Sequence, residues 1–471
     1  MPATTPAPSA AASAIEPSLV ENSLPDGLRI VVAENHASPF VRIDLAFRTG
    51  AISQTSRNAG AFHVLEHALL AAHDAGASAE ETLGSLGAVD WKAETGAENL
   101  SFDMKIPSAQ AAAGIGLWAA MISRSSFDAA TVEAAKTRAK GEATAQIGDP
   151  AAVYEAAMNQ RVFARYPWRR DPIGSEKNID ALTADALANL KATWLVPSNA
   201  MLIVAGDVKP AEVLAAASKA FADWKGGSSP WKQGLVPQPK LGVMRPTWFA
   251  IADPRIPEGL AMAEIRYRGP DLESDPKDAF VADLWAELCS APEGRFEKAM
   301  TTAVPSLHGP VQVQFLSQRD GSVISVSAAI DFSGKALAFR DAEAIKEGFR
   351  GSEVIEMKVS PSYFSPAEID AAKTRMIADR QAVLDSIDGM DSELRFAWCS
   401  ADLEWFKSWN QGIQAVTREE ISDLVNDWVL HNLEVVSVRM SPEDMAKEAT
   451  AVADGGFERA TPGNSFWWQT R

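Results

Sequence analysis

The segment His63-Val64-Leu65-Glu66-His67 concentrates the chemistry-bearing residues of this chain. It lies in an apolar stretch of helical periodicity that runs from about Asn58 to Ala72. Residues four apart on a helix share a face, one turn above each other. His63 and His67 therefore present two imidazoles side by side, a pair able to bind one zinc ion at about 2.0–2.1 Å. Glu66 follows His63 by three residues and projects to the same side. It stands too close to His67 in sequence to be an ideal third ligand. It can still reach a metal-bound water, whose pKa zinc lowers to about 7. A carboxylate so placed can remove the proton and later deliver it to a leaving amine. The competing explanation is two unrelated histidines on a polar helix face. The chain has only six histidines, which makes that chance spacing the weaker explanation.

A catalytic zinc takes three protein ligands and keeps a fourth position open. Glu94, Glu98 and Glu142 all qualify on spacing. Glu142 is preferred for its small neighbours Gly141, Ala143 and Ala145, which would let its helix approach closely.

The elements that must hold these residues can be read in order. LRIVVAENH and VRIDLAFRTG alternate as two strands with a turn between them. The histidine helix follows, then a Gly break and a pair of strands through DWKAETGAENLSFDMKIP. A helical stretch runs from Ala109 to about Ile147. A strand within WLVPSNAMLIVAGDV and a helix within AEVLAAASKAFADW come next. Residues 225–243 are rich in Gly, Pro, Ser and Lys without periodicity and read as a linker. They separate an N-terminal domain, 21–224, from a C-terminal domain, 244–471, in which the same order of elements recurs. Ala-Ala-Lys-Thr-Arg occurs at Ala134–Arg138 and again at Ala371–Arg375, evidence of an internal repeat. The repeat pairs Glu142 with Asp379. A second pairing sets His63, Glu66 and His67 against Val281, Leu284 and Trp285, so the second copy lacks the metal set.

Composition excludes several function classes. A length of 471 residues suits two domains, and 46% hydrophobic with 23% charged residues is normal for a chain that buries a sizeable core. The net charge of -18 argues against nucleic-acid binding, which needs a basic face. No stretch is long and apolar enough to span a membrane. Cys289 and Cys399 are too few for a thiolate zinc cluster. Residues 1–20 read as a disordered leader of Ala, Pro, Ser and Thr. That leader resembles a mature N-terminus after signal removal and points to the periplasm, with the cytoplasm as the alternative. Phe466-Trp467-Trp468 is expected to dock on the protein's own core.

The His-x-x-Glu-His order is the signature of inverted zinc peptidases. Together with LPDGLRIVVAENHASPFVRIDLAFRTG, AGAFHVLEHALL, ETLGSLGAV, YPWRRDPIGSEKNIDALT and VPSNAMLIVAGDV, it makes the chain resemble the M16 metallopeptidases over nearly its whole length after the leader. The resemblance implies an α+β fold of two homologous α/β-roll domains. Each is a mainly antiparallel sheet packed by helices, and together they form half of a clamshell around a peptide chamber. It implies that His63, His67 and Glu142 bind one zinc ion and that Glu66 is the base.

The chain departs from the family pattern in three places. Ala135 stands where a supporting Glu is usual, seven residues before the ligand Glu. Lys92-Ala93 stands where an Asn-Ala pair holds the substrate backbone. Thr301 and His308 stand where active members carry an Arg and a Tyr that steady the oxyanion, which leaves His308 as the one oxyanion candidate here. The expected function is a zinc endopeptidase subunit acting on peptides or unfolded segments. Its Arg and Tyr would come from a paralogous partner in a heterodimer, with a homodimer as the alternative assembly. The alternative function is a non-catalytic scaffold or peptide-binding protein on the same fold.

Overall fold

A computed structural model of the chain describes residues 18–74, 77–234, 243–332, 338–448, 450, 452 and 456–469. Most of the expected leader, 1–17, and part of the expected linker, 235–242, lie outside these residues. Eight strands belong to the first half: β1 (Leu19–Ser23), β2 (Arg29–Glu34), β3 (Phe40–Phe47), β4 (His73–Asp74), β5 (Ala77–Ser78), β6 (Asp90–Thr95), β7 (Leu100–Pro107) and β8 (Ala200–Gly206). β1 thus begins inside the stretch expected as leader. Six of the strands form one sheet in the order β1-β2-β8-β3-β7-β6, and β4 and β5 make a separate two-residue ribbon. Only β2 and β8 run parallel; every other neighbouring pair is antiparallel.

The second half supplies β9 (Thr247–Ala252), β10 (Leu260–Arg268), β11 (Gln312–Leu316), β12 (Val323–Asp331), β13 (Glu434–Met440) and β14 (Glu458–Ala460), ordered β11-β12-β10-β13-β9-β14. Reversed, five strands of this sheet repeat the first, including the parallel pair, here β9 with β13. The edge differs, since β14 runs parallel to β9 where β1 runs antiparallel to β2. The registers also agree. Val41 faces Gly206 and Phe47 faces Ala200, where Ala261 faces Met440 and Tyr267 faces Glu434.

The first half has the helices α1 (Ala61–Ala71), α2 (Ala79–Ser85), α3 (Ala111–Arg124), α4 (Ala129–Gly148) and α5 (Pro150–Val162) among others, and α1 and α4 carry the candidate site. The helical stretch expected from Ala109 to Ile147 divides into α3 and α4. Asp128 starts a new helix by accepting a 2.7 Å hydrogen bond from Thr131 N. In the second half, Ser365 caps the helix Pro366–Leu384 at the same repeat position. Asp149, which caps α5, corresponds in turn to Ser386, which caps Ile387–Ser400.

The repeat explains how the sheets are covered. All seven residues of β8 are buried because both faces of its sheet are covered. Leu202 and Val204 join the core under α1 and α3. Met201, Ile203 and Ala205 pack instead on Leu394, Ala397 and Trp398 of the helix Ile387–Ser400, which comes from the other half. The converse holds on the second sheet. Phe249, Ile251 and Val435 pack on Val153, Tyr154 and Met158 of α5. Each half thus lends a helix to seal the other half's sheet.

The polar centres of these two interfaces occupy equivalent positions and differ in chemistry. Glu264 of β10 accepts from Tyr154 Oη of α5 at 2.6 Å and from Ser325 Oγ at 2.8 Å, and Arg266 binds it as well. The repeat equates Glu264 with Asp44 and Tyr154 with Asp391. Asp44 and Asp391 are both buried, and Arg395 Nη1 donates to Asp44 Oδ2 at 2.6 Å and to Asp391 Oδ2 at 3.2 Å. Arg42 binds Asp103, Asp90 and Asp388 beside them. One oxygen each of Asp44, Asp103 and Asp391 is buried with no hydrogen-bond partner among the described residues.

Cys289 and Cys399 are buried and unbridged. No described helix is long and apolar enough to cross a membrane. The C-terminal aromatics dock on the protein itself: Trp467 is buried, and its Nε1 donates to Asp171 Oδ2 at 3.0 Å.

Candidate metal centre

The helix α1 starts at Ala61, three residues after the expected Asn58, because Gly60 takes a left-handed conformation (φ 94°) and ends the preceding turn. A β-carbon on Gly60 would stand 2.5 Å from Ile173 O, and one on Gly174 would stand 2.2 Å from Ala59 O. The two backbones abut, which fixes where α1 begins. Gln54 reinforces the junction. Its Oε1 accepts from Gly60 N at 2.6 Å, and its amide donates to Trp168 O and Asp171 O.

Every residue from Ala61 to Leu70 is buried. Phe62, Leu65 and Leu69 enter the core, while α4 packs along the face that carries the histidines. The close approach of α4 comes from Ala135, Ala139 and Ala143, spaced one turn apart and all buried. This corrects the expectation from Glu142's neighbours. Of the three small residues beside it, only Ala143 faces the contact; Gly141 and Ala145 are exposed. Successive residues of an α-helix point about 100° apart around its axis, so adjacency in sequence is the wrong measure.

Packing α1 on α4 brings His63, His67 and Glu142 together. A ligand atom from each lies within 4.8 Å of the others. His63 Nε2 stands 2.9 Å from Glu142 Oε2, and His67 Nε2 stands 3.4 Å from Glu142 Oε1. Donors of a tetrahedral zinc at about 2.0–2.1 Å stand about 3.3 Å apart, so the set fits such an ion. Both ring nitrogens of His67, and Nδ1 of His63, are buried without a hydrogen-bond partner among the described residues. Buried polar atoms left unpaired call for an explanation, and two imidazoles with a carboxylate form a zinc-type donor set. Burial lowers the pKa of both histidines; for His67 the neighbouring His63 adds to this and the value falls to about 4. Both rings are thus neutral at pH 7, as metal ligands must be.

Glu66 is buried behind the set. Its Oε1 lies 3.9 Å from His67 Nδ1, and its Oε2 accepts from Thr95 Oγ1 at 2.6 Å. Burial pushes its pKa up to about 7, against the opposing effect of the Thr95 hydrogen bond. The carboxyl can therefore both take and return a proton near neutral pH. Glu142 is 44% exposed at its side chain, so the group opens to solvent on that side. A separate cavity of about 830 Å³, bounded by Phe280, Trp405 and Arg319, lies away from this group.

Of the other two carboxylates considered as ligands, Glu94 pairs with Lys92 at 2.6 Å. Glu98 is buried where it accepts from Arg319 N and Asp320 N. Lys92 and Ala93 lie on β6, the outer strand of the sheet, with Lys92 exposed and Ala93 half-buried. Ala135 is buried in the first core. Thr301 and His308 are exposed. Thr301 Oγ1 donates to Glu297 O and His308 N to Ala329 O, and no hydrogen bond joins either residue to the His63–Glu142 group among the described residues. In the second copy Val281, Leu284 and Trp285 fill the space with core side chains.

Three residues in or near the site had escaped the sequence: Gln54, Thr95 and Arg138. Arg138 Nε stands 3.5 Å from Glu142 Oε1, with Nη1 3.6 Å from Glu80 of α2. Its position one turn before Glu142 was the available signal. For Thr95 the signal was strand alternation, which puts it on the same side of β6 as Ala93.

A family description of insulinase (peptidase family M16) matches residues 29–171, and one of the peptidase M16 inactive domain matches residues 181–301. No curated protein matches the chain. Several solved structures share its fold. A protease from Helicobacter pylori aligns with TM-score 0.73 at 16% identity, covering 90% of this chain and 100% of that one. An M16-like protein from Alicyclobacillus acidocaldarius aligns with TM-score 0.75 at 14% identity, covering 91% and 100%. The periplasmic protease PqqL from Escherichia coli aligns with TM-score 0.72 at 15% identity, covering 94% of this chain and 50% of that one. The two duplicated mixed sheets, their helices and these matches lead to one conclusion: the chain belongs to peptidase family M16.

Proposed function

We propose that the chain is the zinc-bearing subunit of an endopeptidase that hydrolyses peptides or unfolded segments. The observation that carries this reading is the convergence of His63, His67 and Glu142 on one open face, with Glu66 buried behind it. His63, His67 and Glu142 would hold the ion. Bound zinc supplies Lewis acidity that makes water easier to deprotonate and polarises a peptide carbonyl. Glu66 takes the proton of the attacking water as the oxygen–carbon bond forms. It returns that proton to the amine nitrogen as the carbon–nitrogen bond breaks. The outer strand β6, with Lys92 and Ala93, offers backbone to an extended substrate.

The positions of Thr301 and His308 supply no cationic donor beside the site, and oxyanion donors are commonly worth about 10²–10³ in rate. The reading therefore includes a paralogous partner that brings the Arg and Tyr. That the chain aligns with half the length of PqqL supports a two-part assembly. A second reading, a non-catalytic peptide-binding subunit, is favoured by Ala135, Lys92 and Thr301 and by the match to the family's inactive domain.

Metal analysis of the wild-type, His67→Ala and Glu66→Gln chains, with peptide cleavage alone and with the paralogue, separates the two. The peptidase reading expects about one zinc per chain, lost in H67A and kept in E66Q, with cleavage lost in both variants. Zinc without cleavage in any pairing supports the second reading, and absence of zinc refutes the first.

A further inference from the structure

We infer that Thr95 is a positioning residue for the proton carrier Glu66, tying one carboxylate oxygen to strand β6 so that the other is left to work. The inference rests on the peptidase reading above. Glu66 has two oxygens and, among the described residues, one hydrogen-bond donor. Thr95 Oγ1 donates to Oε2 at 2.6 Å, while Oε1 lies toward His67 Nδ1 at 3.9 Å. Both side chains are buried, so water does not compete for this bond. Without it the carboxylate would be free to rotate about its terminal bond, which has broad, roughly two-fold preferences, and to exchange its two oxygens. With it, Oε1 is the oxygen that takes the proton from water and returns it to the amine.

The geometry of Thr95 suits this role. It is the last residue of β6 and pairs across the sheet with Leu100. A β-branched side chain on a strand is restricted at χ1, so the hydroxyl is held in direction before Glu66 meets it. Ala93 lies two residues earlier on the same side of the strand. The strand whose open edge can receive an extended substrate is therefore also the strand that orients the base. One rigid element sets both the substrate register and the direction of the working oxygen, which is what a proton transfer to a nearby nitrogen requires.

The test compares Thr95→Val with Thr95→Ser in the full chain, paired with the paralogue where wild-type cleavage needs it. Valine keeps the shape and removes the donor; serine keeps the donor and loses a methyl. The expected result for T95V is a wild-type zinc content, a KM within about two-fold and a kcat reduced about 10–100-fold, the usual range for a group supporting an active-site residue. T95S should recover most of the kcat. A second readout uses the metal-free chain. The infrared carboxyl bands of Glu66, identified by difference against E66Q, should shift in T95V and stay in place in T95S. Wild-type kcat and unshifted bands in T95V overturn the assignment. So does T95S falling as far as T95V, because the methyl and not the hydroxyl would then matter. A wild-type chain that binds no zinc or cleaves nothing in any pairing overturns the peptidase reading and this inference with it. An active wild type with an unaffected T95V overturns this inference alone.

Discussion

Replacing Asp391 by asparagine should make the protein more stable at alkaline pH and flatten the pH dependence of its stability. Asp391 and Asp44 face each other through Arg395 where the helix Ile387–Ser400 seals the first sheet. Burial pushes the pKa of Asp44 up to about 7, against the pull of Arg395 and with the added effect of Asp103. Burial also raises Asp391 well above the usual carboxylate range, with Asp44 and Asp103 adding to the rise. The folded protein therefore binds a proton here that the unfolded chain releases near pH 4. That stability is fully present below about pH 4 and is lost as pH rises toward 7 and above. One proton corresponds to about 1.4 kcal/mol per pH unit, so up to about 4 kcal/mol is at stake between pH 4 and 7. The Asp391→Asn substitution removes one ionisation and offers Asp44 a neutral donor, as Tyr154 offers Glu264 in the equivalent interface. We expect D391N to gain on wild type by about 0.5–1.4 kcal/mol per pH unit from pH 5 to 7, and to exceed it by about 1–3 kcal/mol at pH 8. Urea unfolding of both proteins at pH 5, 6, 7 and 8 in a chelator, followed by tryptophan fluorescence, measures this difference. Groups outside the Asp44–Asp103–Asp391 cluster titrate alike in both proteins and cancel. Parallel stability curves, or a D391N variant weaker at every pH, would refute the reasoning.

Tyr154→Phe should be destabilised by about 1–3 kcal/mol, because it leaves the buried Glu264 short of its phenol donor; chemical denaturation reads this directly. Zinc at about 100 times its Kd should stabilise the wild type by about 2.7 kcal/mol and leave His67→Ala unchanged, a difference visible in thermal unfolding with and without chelator. Gly60→Ala forces a β-carbon to 2.5 Å from Ile173 O at a φ of 94°. A loss of about 1–3 kcal/mol in thermal stability and a lower retained zinc content after dialysis are expected, since this junction sets the start of α1.

The legible part of the site was the part built from one element. His63, Glu66 and His67 share one helix, and helical spacing alone puts them on one face. Glu142 lies on a second helix, where spacing did not distinguish it from Glu94 and Glu98; its small neighbours favoured it, and the family resemblance named it. Its packing was misread because the residues that matter, Ala135, Ala139 and Ala143, form a stripe along α4 and do not flank Glu142. Thr95 carried no motif at all. A single hydroxyl at the end of a strand becomes informative only when another element aims a carboxylate at it. In the fold, the succession of elements along the chain and the duplication could be followed through alternation and the repeated Ala-Ala-Lys-Thr-Arg, but not the order of strands within each sheet. The partner of each covering helix could not. The apolar stripes of α5 and Ile387–Ser400 show that each must be buried, but periodicity does not say against which sheet.

That exchange of helices has the geometry of a domain-swapped dimer written into one polypeptide. A solitary copy of the repeat would leave Met201, Ile203 and Ala205, with Val31, Ala33 and Ala46, as a bare apolar surface. Such a surface invites association. A second identical copy would satisfy it by trading the same helix in both directions, which is a closed two-fold arrangement. Joining the two copies end to end keeps the trade and frees each half to diverge. One half holds the His63–His67–Glu142 set; in the other, Val281, Leu284 and Trp285 are packed into the core. The halves are thus chemically unequal but mechanically inseparable, and a chain cut between them should remain one particle that melts in a single step.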